Sequence, residues 1–233
     1  KKSHTLPVDF NNDQMTDLII SGSTTEYYQG NKNGSWTFKK ELPSANESIS
    51  ADVDHDGDLD LLILSKTKTY LFSNDGSGDF SDITSSAGIP SNKVFDNVIF
   101  SDFDNDRDID FFTLSNRRLG LYSNNRDGTF TNVAETLNLT GEVVKYFLVE
   151  DFNQDGFMDC VILNEKNQLV QLVNKNGLSF DEVQRLPNIS ANSLISGDID
   201  NDGDLDLWSL DGSEIQTIAW HNSTWKTSEV NIK

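Results

Sequence analysis

Five short acidic stretches carry the chemistry that this sequence can do. They read "DFNNDQMTD" from Asp9, "DVDHDGDLD" from Asp52, "DFDNDRDID" from Asp102, "DFNQDGFMD" from Asp151 and "DIDNDGDLD" from Asp198. Positions 1, 3, 5 and 9 are oxygen-bearing in every copy: Asp9, Asn11, Asp13 and Asp17; Asp52, Asp54, Asp56 and Asp60; Asp102, Asp104, Asp106 and Asp110; Asp151, Asn153, Asp155 and Asp159; Asp198, Asp200, Asp202 and Asp206. Oxygens at alternate positions of a tight turn converge on one hard cation, and calcium takes about six to eight of them. Position 7 is Met15, Asp58, Asp108, Phe157 or Asp204. A position that accepts Met and Phe is expected to contribute its backbone carbonyl. The reading is therefore one Ca2+ per stretch, up to five in all. The helical calcium hand does not fit, because it closes with Glu at position 12 between helices. Magnesium, which keeps water and tight octahedral geometry, suits the stretches less well. The five stretches hold 21 of the chain's aspartates. Bare carboxylates this close repel, and burying them unpaired is costly.

The five sets differ. Gly57, Gly156 and Gly203 occupy position 6, where a sharp turn favours positive φ. Gln14 and Arg107 stand there in the other two, and Asn11 and Asn153 replace Asp at position 3 with loss of charge. The Asp9 stretch carries both departures and is expected to bind most weakly. The Asp52 and Asp198 stretches are expected to bind most tightly.

These turns need a scaffold that repeats. Their starts lie 43, 50, 49 and 47 residues apart, a period that suits one four-stranded propeller blade. An apolar run follows each stretch ("LIIS", "LLILS", "FFTLS", "CVILN", "LWSL") and reads as a strand. A second strand ends in Asn in "YYQGN", "YLFSN", "GLYSN", "QLVN" and "AWHN", and a turn with an aromatic follows, as in "NDGSGDF" and "NNRDGTF". Another apolar segment precedes each stretch, so every unit has room for four strands. Residues 82–90 and 132–139 offer at most a helical turn. The expected fold is an all-β propeller of about five four-stranded blades, one domain over 1–233, with blades starting near residues 3, 47, 95, 144 and 192.

With these motifs the sequence resembles the FG-GAP/VCBS repeat family, the calcium-loop blades of integrin α-chains and of many secreted bacterial proteins. The stretches 71–90 and 121–133 are similar to CRTAC/UnbV-type blades. The resemblance implies calcium as a structural ion at the matching residues of all five loops, and extracellular adhesion or binding of a protein or glycan ligand. Some members are lectins, and some related propellers are polysaccharide lyases. Members usually have about seven blades, so five imply a fragment or a smaller ring. Open edge strands are avoided by proteins, so either "KKSHTLPVDF" closes against "SEVNIK" or further blades complete the ring.

Composition narrows the partners. The formal net charge of −20 over 233 residues disfavours nucleic acid, whose binding needs basic patches, and five divalent ions would bring it to −10. No apolar stretch reaches membrane-span length. The chain opens on Lys1-Lys2-Ser3 without Met or a signal peptide, which suggests a piece of a longer chain. The single cysteine, Cys160, aligns with Leu18, Leu61, Phe111 and Leu207 and reads as core. His4, His55 and His221 form no recognisable nucleophilic set with it. Glu142 and Glu150 are the acids left outside the repeat. Phe72, Tyr122 and Trp220 read as packing between blades, and a sugar platform is sought among Trp36, Trp208, Trp220 and Trp225. The expectation is a non-enzymatic, extracellular calcium-stabilised binding module. The alternatives are a polysaccharide lyase or hydrolase, or a structural scaffold.

Overall fold

The computed structural model describes residues 4–90, 92–139, 141–211, 214–221 and 224–229. Among them are five antiparallel sheets of four strands each, every sheet a meander in chain order. The first is β1 (His4–Val8), β2 (Asp17–Ser21), β3 (Thr25–Gly30) and β4 (Trp36–Leu42). The second is β5 (Glu47–Ala51), β6 (Asp60–Leu64), β7 (Thr69–Asn74) and β8 (Phe80–Asp82). The third is β9 (Asn97–Ser101), β10 (Asp110–Ser115), β11 (Arg118–Asn124) and β12 (Phe130–Asn132). The fourth is β13 (Val144–Glu150), β14 (Asp159–Asn164), β15 (Leu169–Asn174) and β16 (Phe180–Leu186). The fifth is β17 (Ser193–Gly197), β18 (Asp206–Asp211), β19 (Glu214–His221) and β20 (Thr224–Glu229). The chain is thus all-β, with the propeller blades that the repeat predicts. The described residues hold no helix long and apolar enough to cross a membrane. The N-terminal Lys1–Ser3 and residues 230–233, invoked above for ring closure, lie outside the described residues.

Packing divides the chain into two units, Lys1–Phe100 with Asp108–Asn116 and Tyr122–Asn132, and Ser101–Arg107 with Arg117–Leu121 and Val133–Lys233. In the first unit, β6 explains why the run after each acidic stretch is apolar at every position. Side chains alternate faces along a strand. Leu61 and Ile63 join Phe10, Ile19, Tyr27, Phe72 and Phe80 on one side. Leu62 and Leu64 join Val53, Leu71, Phe95, Phe111, Tyr122 and Phe130 on the other. These four apolar residues of β6 are buried, and each contributes about 1.5–3 kcal/mol, so a core strand can anchor an acidic turn. The second unit repeats the arrangement with Phe152, Val161, Leu163, Leu169, Ile189, Leu194, Leu207 and Ile218.

The two segments with room for a helical turn each form one. Ala87 donates to the carbonyl of Ile83 at 2.8 Å, and Leu137 to that of Val133 at 3.0 Å. Each turn then receives the first residue of the next sheet's fourth strand: Phe130 N–H donates to Ala87 O at 2.9 Å in one unit, Phe180 N–H to Leu137 O at 2.7 Å in the other.

Candidate metal centres

Each acidic stretch forms the turn between the first two strands of its sheet. Two residues of every turn are left-handed. Position 6 has φ of 68° at Gln14, 92° at Gly57, 76° at Arg107, 91° at Gly156 and 95° at Gly203, as its glycines suggest. Position 4 is left-handed as well, with Asn12, His55, Asn105, Gln154 and Asn201 between 55° and 61°. Asn tolerates this region better than most residues, which accounts for its frequency there.

The turns are held by their own amides. The position 1 carboxylate accepts from the N–H groups of positions 5 and 6, as Asp151 does from Asp155 at 3.0 Å and Gly156 at 2.9 Å. Asp102 and Asp198 are held in the same way. The position 5 carboxylate accepts from position 7 in Asp13, Asp56, Asp155 and Asp202. The position 9 aspartates, Asp17, Asp60, Asp110, Asp159 and Asp206, are all buried. One oxygen of Asp60 accepts from Val53 N–H at 2.9 Å and the other from Asn74 N–H at 2.9 Å. Position 9 thereby ties its turn to the third strand of the sheet. Burial raises the Asp60 carboxyl to about 6 and that of Asp159 to about 7. Asp54, Asp104 and Asp200 are raised too, first by desolvation and then by neighbouring carboxylates.

Two observations test whether these residues fit a cation. Carboxylate oxygens within 4.8 Å of one another gather at Asp52, Asp54 and Asp60, at Asp102, Asp104, Asp106 and Asp110, and at Asp198, Asp200 and Asp206. Arg107 at position 6 therefore does not scatter its ligand set. Buried carboxylate oxygens without a hydrogen-bond partner are Asp52 Oδ1, Asp104 Oδ1, Asp159 Oδ2 and Asp204 Oδ1, one in each turn after the first. A buried anionic oxygen with no donor is costly, and a divalent ion is one partner that would offset the cost. In the last turn the position 7 side chain, Asp204, supplies the buried oxygen. The other position 7 aspartates are engaged elsewhere, Asp58 with Asn12 and Asp108 with His55 and Arg126.

Sequence reasoning missed two sets of residues. The first is position 4, which reaches the following turn. Asn12 Nδ2 donates to Asp58 Oδ1 at 2.6 Å, His55 Nε2 lies 2.9 Å from Asp108 Oδ1, and Gln154 Nε2 donates to Gly203 O at 2.7 Å. The second is the repeated Asn at the end of each third strand, visible in the sequence but without an evident role. Asn74 Nδ2 donates to the carbonyls of Phe10 at 2.7 Å and Leu59 at 3.1 Å. Asn124 does the same to Val53 and Ile109, and Asn174 to Phe103 and Met158. Each therefore bonds its own turn to that of the preceding sheet.

The register corrects the first sheet. Gly30 pairs with Trp36 as Asn74 pairs with Phe80, so Gly30 stands at the latch position and Asn31 lies one residue beyond. A Cβ at Gly30 would come within 2.4 Å of Thr16 O, and Trp36 Nε1 donates to that same carbonyl at 2.9 Å. Trp36 is thus this sheet's version of the buried aromatics Phe80, Phe130 and Phe180, but 49% exposed.

Among the described residues, the remaining candidates lie in packing, ion-pair or hydrogen-bond contacts. Cys160 is buried and burial pushes its thiol well up, so thiol reagents should label it only on unfolding; rapid labelling of folded protein would contradict this. Glu142 pairs with Arg185 at 2.8 Å. Its carboxyl lies below the ordinary value despite an opposing desolvation cost, through Arg185 and Asn164. A general acid needs the opposite shift. Glu150 accepts from Ser196 at 3.1 Å. Phe72 and Tyr122 pack between sheets. Trp208 is half-buried, and the side chains of Trp220 and Trp225 lie outside the described residues.

The model of the FG-GAP-like repeat matches residues 52–113 and 151–209, just over half of the chain. No curated protein matches the sequence. Among solved structures, an Agrocybe aegerita lectin that recognises non-reducing terminal N-acetylglucosamine superposes with a TM-score of 0.61 at 16% identity, over 99% of this chain and 65% of its own. BBS1N, solved in complex with ARL6DN, gives 0.55 at 11% identity, over 97% and 64%. A protein from Lactobacillus plantarum gives 0.56 at 12% identity, over 94% and 67%. The chain thus spans about two thirds of the length of these structures. At such identities the likeness shows the fold.

Proposed function

The chain belongs to the family of FG-GAP-like repeats, and from that premise we propose that it is a calcium-stabilised, non-enzymatic, extracellular module for binding a protein or glycan. The observation that carries the calcium part is the buried, donor-less carboxylate oxygen in each turn after the first. In those turns the ion would be held by the oxygens of positions 1, 3, 5 and 9 and by position 7. When bound it neutralises the crowded carboxylates, so metal binding and folding share one free energy. Extracellular calcium modules work at dissociation constants on the order of 0.1–1 mM, which is the ground for an extracellular setting.

The ligand-binding part rests on the blade architecture and on exposed aromatics. Trp36 and Phe38 are each about half exposed on β4, and Phe38 meets Tyr28 edge-on at 5.6 Å. A sugar ring or an apolar side chain would find a fixed face there, because the Trp36 indole is tied to Thr16 O.

Calorimetric melting tests the first part. Chelation is expected to lower Tm by several degrees and added calcium to restore it; an unchanged melt in EDTA would sink the calcium reading. A glycan array beside a protein pull-down tests the second, with binding in only one arm naming the ligand class and binding in neither favouring a scaffold.

A further inference from the structure

We infer that the turn at Asp9 is not an ion site, and that the protein takes four calcium ions, at the turns beginning with Asp52, Asp102, Asp151 and Asp198. This rests on the calcium reading above and sharpens it. In the first turn the position 9 carboxylate accepts two backbone N–H groups of the kind that also hold Asp60, and a side-chain hydroxyl adds a third donor where an ion would bind. Asp17 Oδ1 accepts from Gly30 N–H at 2.8 Å, and its Oδ2 from Phe10 N–H at 3.1 Å and from the Tyr27 hydroxyl at 3.0 Å. The second and third sheets carry Leu71 and Leu121 three residues before their latch Asn, where the first sheet carries Tyr27 before Gly30, so neither brings a hydroxyl to its turn.

The Tyr27 ring cannot easily withdraw. It is buried, packs edge-on against Phe10 at 6.0 Å and Phe80 at 5.4 Å, and its hydroxyl lies where a Cβ on Gly78 would come within 2.4 Å.

Asn11 closes the other side. Its Oδ1 accepts from Asp13 N–H at 3.3 Å, which fixes the amide so that Nδ2 donates to Asp13 Oδ2 at 3.0 Å. Gln29 Nε2 adds a longer contact to the same oxygen at 3.4 Å. An entering cation would have to displace donors whose positive ends point at its ligands. It would regain only three carboxylates, since position 3 is neutral. The Asp151 turn also has Asn at position 3, yet the Asp159 carboxylate there is held by backbone groups with no side-chain donor, and its Oδ2 is buried. The number of charges alone therefore does not separate the two turns; the donors do. With Asn12 bonded to Asp58, the first turn is built as a fixed neighbour to the Asp52 turn at any calcium level.

Native mass spectrometry of the protein titrated with calcium, with isothermal calorimetry for the count in solution, decides the matter. Four ions are expected. The double variant Asn11→Asp with Tyr27→Phe removes both donors, adds a carboxylate, and is expected to take a fifth ion. The variant Asp13→Ala is expected to leave the count at four. Any wild-type count other than four overturns the inference, and a count of zero overturns the calcium reading with it. A double variant that still folds by circular dichroism and stays at four overturns the assignment of these donors, as does an Asp13→Ala variant that loses an ion.

Discussion

In EDTA, the protein should lose stability as pH rises from about 4 to 7, and in calcium it should gain stability over the same window. Two buried aspartates set the sign. Asp60 and Asp159 have carboxyls raised from 3.8 to about 6 and about 7, mainly by burial. Between the unfolded and folded values, the native state holds more protons than the unfolded one. Stability then falls as pH rises, because its slope follows the difference in bound protons. The stabilising, protonated state is fully present below about 4 and lost on passing the folded values. Each unit is worth about 1.4 kcal/mol, so the loss is on the order of 3 kcal/mol for Asp60 and 4 kcal/mol for Asp159. These are large fractions of a typical folding free energy of about 5–15 kcal/mol.

Calcium held at these turns would reverse the slope, because it would bind the deprotonated carboxylates and compete with protons. Urea denaturation at pH 5 and pH 7.5, each with EDTA and with millimolar calcium, reads the effect directly. The midpoint should fall with pH in EDTA and rise with pH in calcium. Asp159→Asn should flatten the EDTA slope by removing the larger of the two titrations. Parallel slopes with and without calcium would show that these carboxylates do not share their site with an ion.

The same pair of residues shows what a sequence can and cannot disclose. The spacing of the aspartates, the period of the repeat and the apolar runs behind each turn are all local, and they lead to five four-stranded sheets without further information. The gathering of carboxylate oxygens at positions 1, 3 and 9 in the Asp52, Asp102 and Asp198 turns is also local, since a nine-residue turn determines its own hydrogen bonds. The differences among turns are not local. Tyr27, ten residues downstream of Asp17, supplies the hydroxyl that fills the first turn. Asn12 spends its amide on Asp58, 46 residues away. The repeated Asn is plain in the sequence, but its acceptor is a main-chain carbonyl of the preceding sheet, which no side-chain pattern marks. One-residue register also escapes pattern matching: Asn31 looks like the repeat and Gly30 occupies its place, because a Cβ there would meet the Thr16 carbonyl.

That latch carries the second large effect. Asn74→Ala should destabilise the protein by about 3 kcal/mol, well above the cost of a surface substitution. The side chain is buried and makes three bonds at once: Nδ2 to Phe10 O and to Leu59 O, and Oδ1 from Gly78 N–H at 3.1 Å. Alanine leaves two carbonyls and one amide without partners, and each buried group so orphaned costs about 1–3 kcal/mol unless water enters. Asn74→Asp is the sharper variant. It keeps the shape and the acceptor for Gly78 but loses both donated bonds and adds a charge facing two carbonyl oxygens, so it should cost more than alanine. The calcium dependence of the two losses distinguishes a latch from a simple packing residue. Leu59 immediately precedes Asp60 at position 9, and Phe10 belongs to the first turn, so loosening Asn74 should weaken any calcium binding at the Asp52 turn while leaving the Asp198 turn unchanged. Equal stabilities for wild type and Asn74→Ala by urea denaturation would mean that the sheets are held by apolar burial alone, and that the repeated Asn has another purpose.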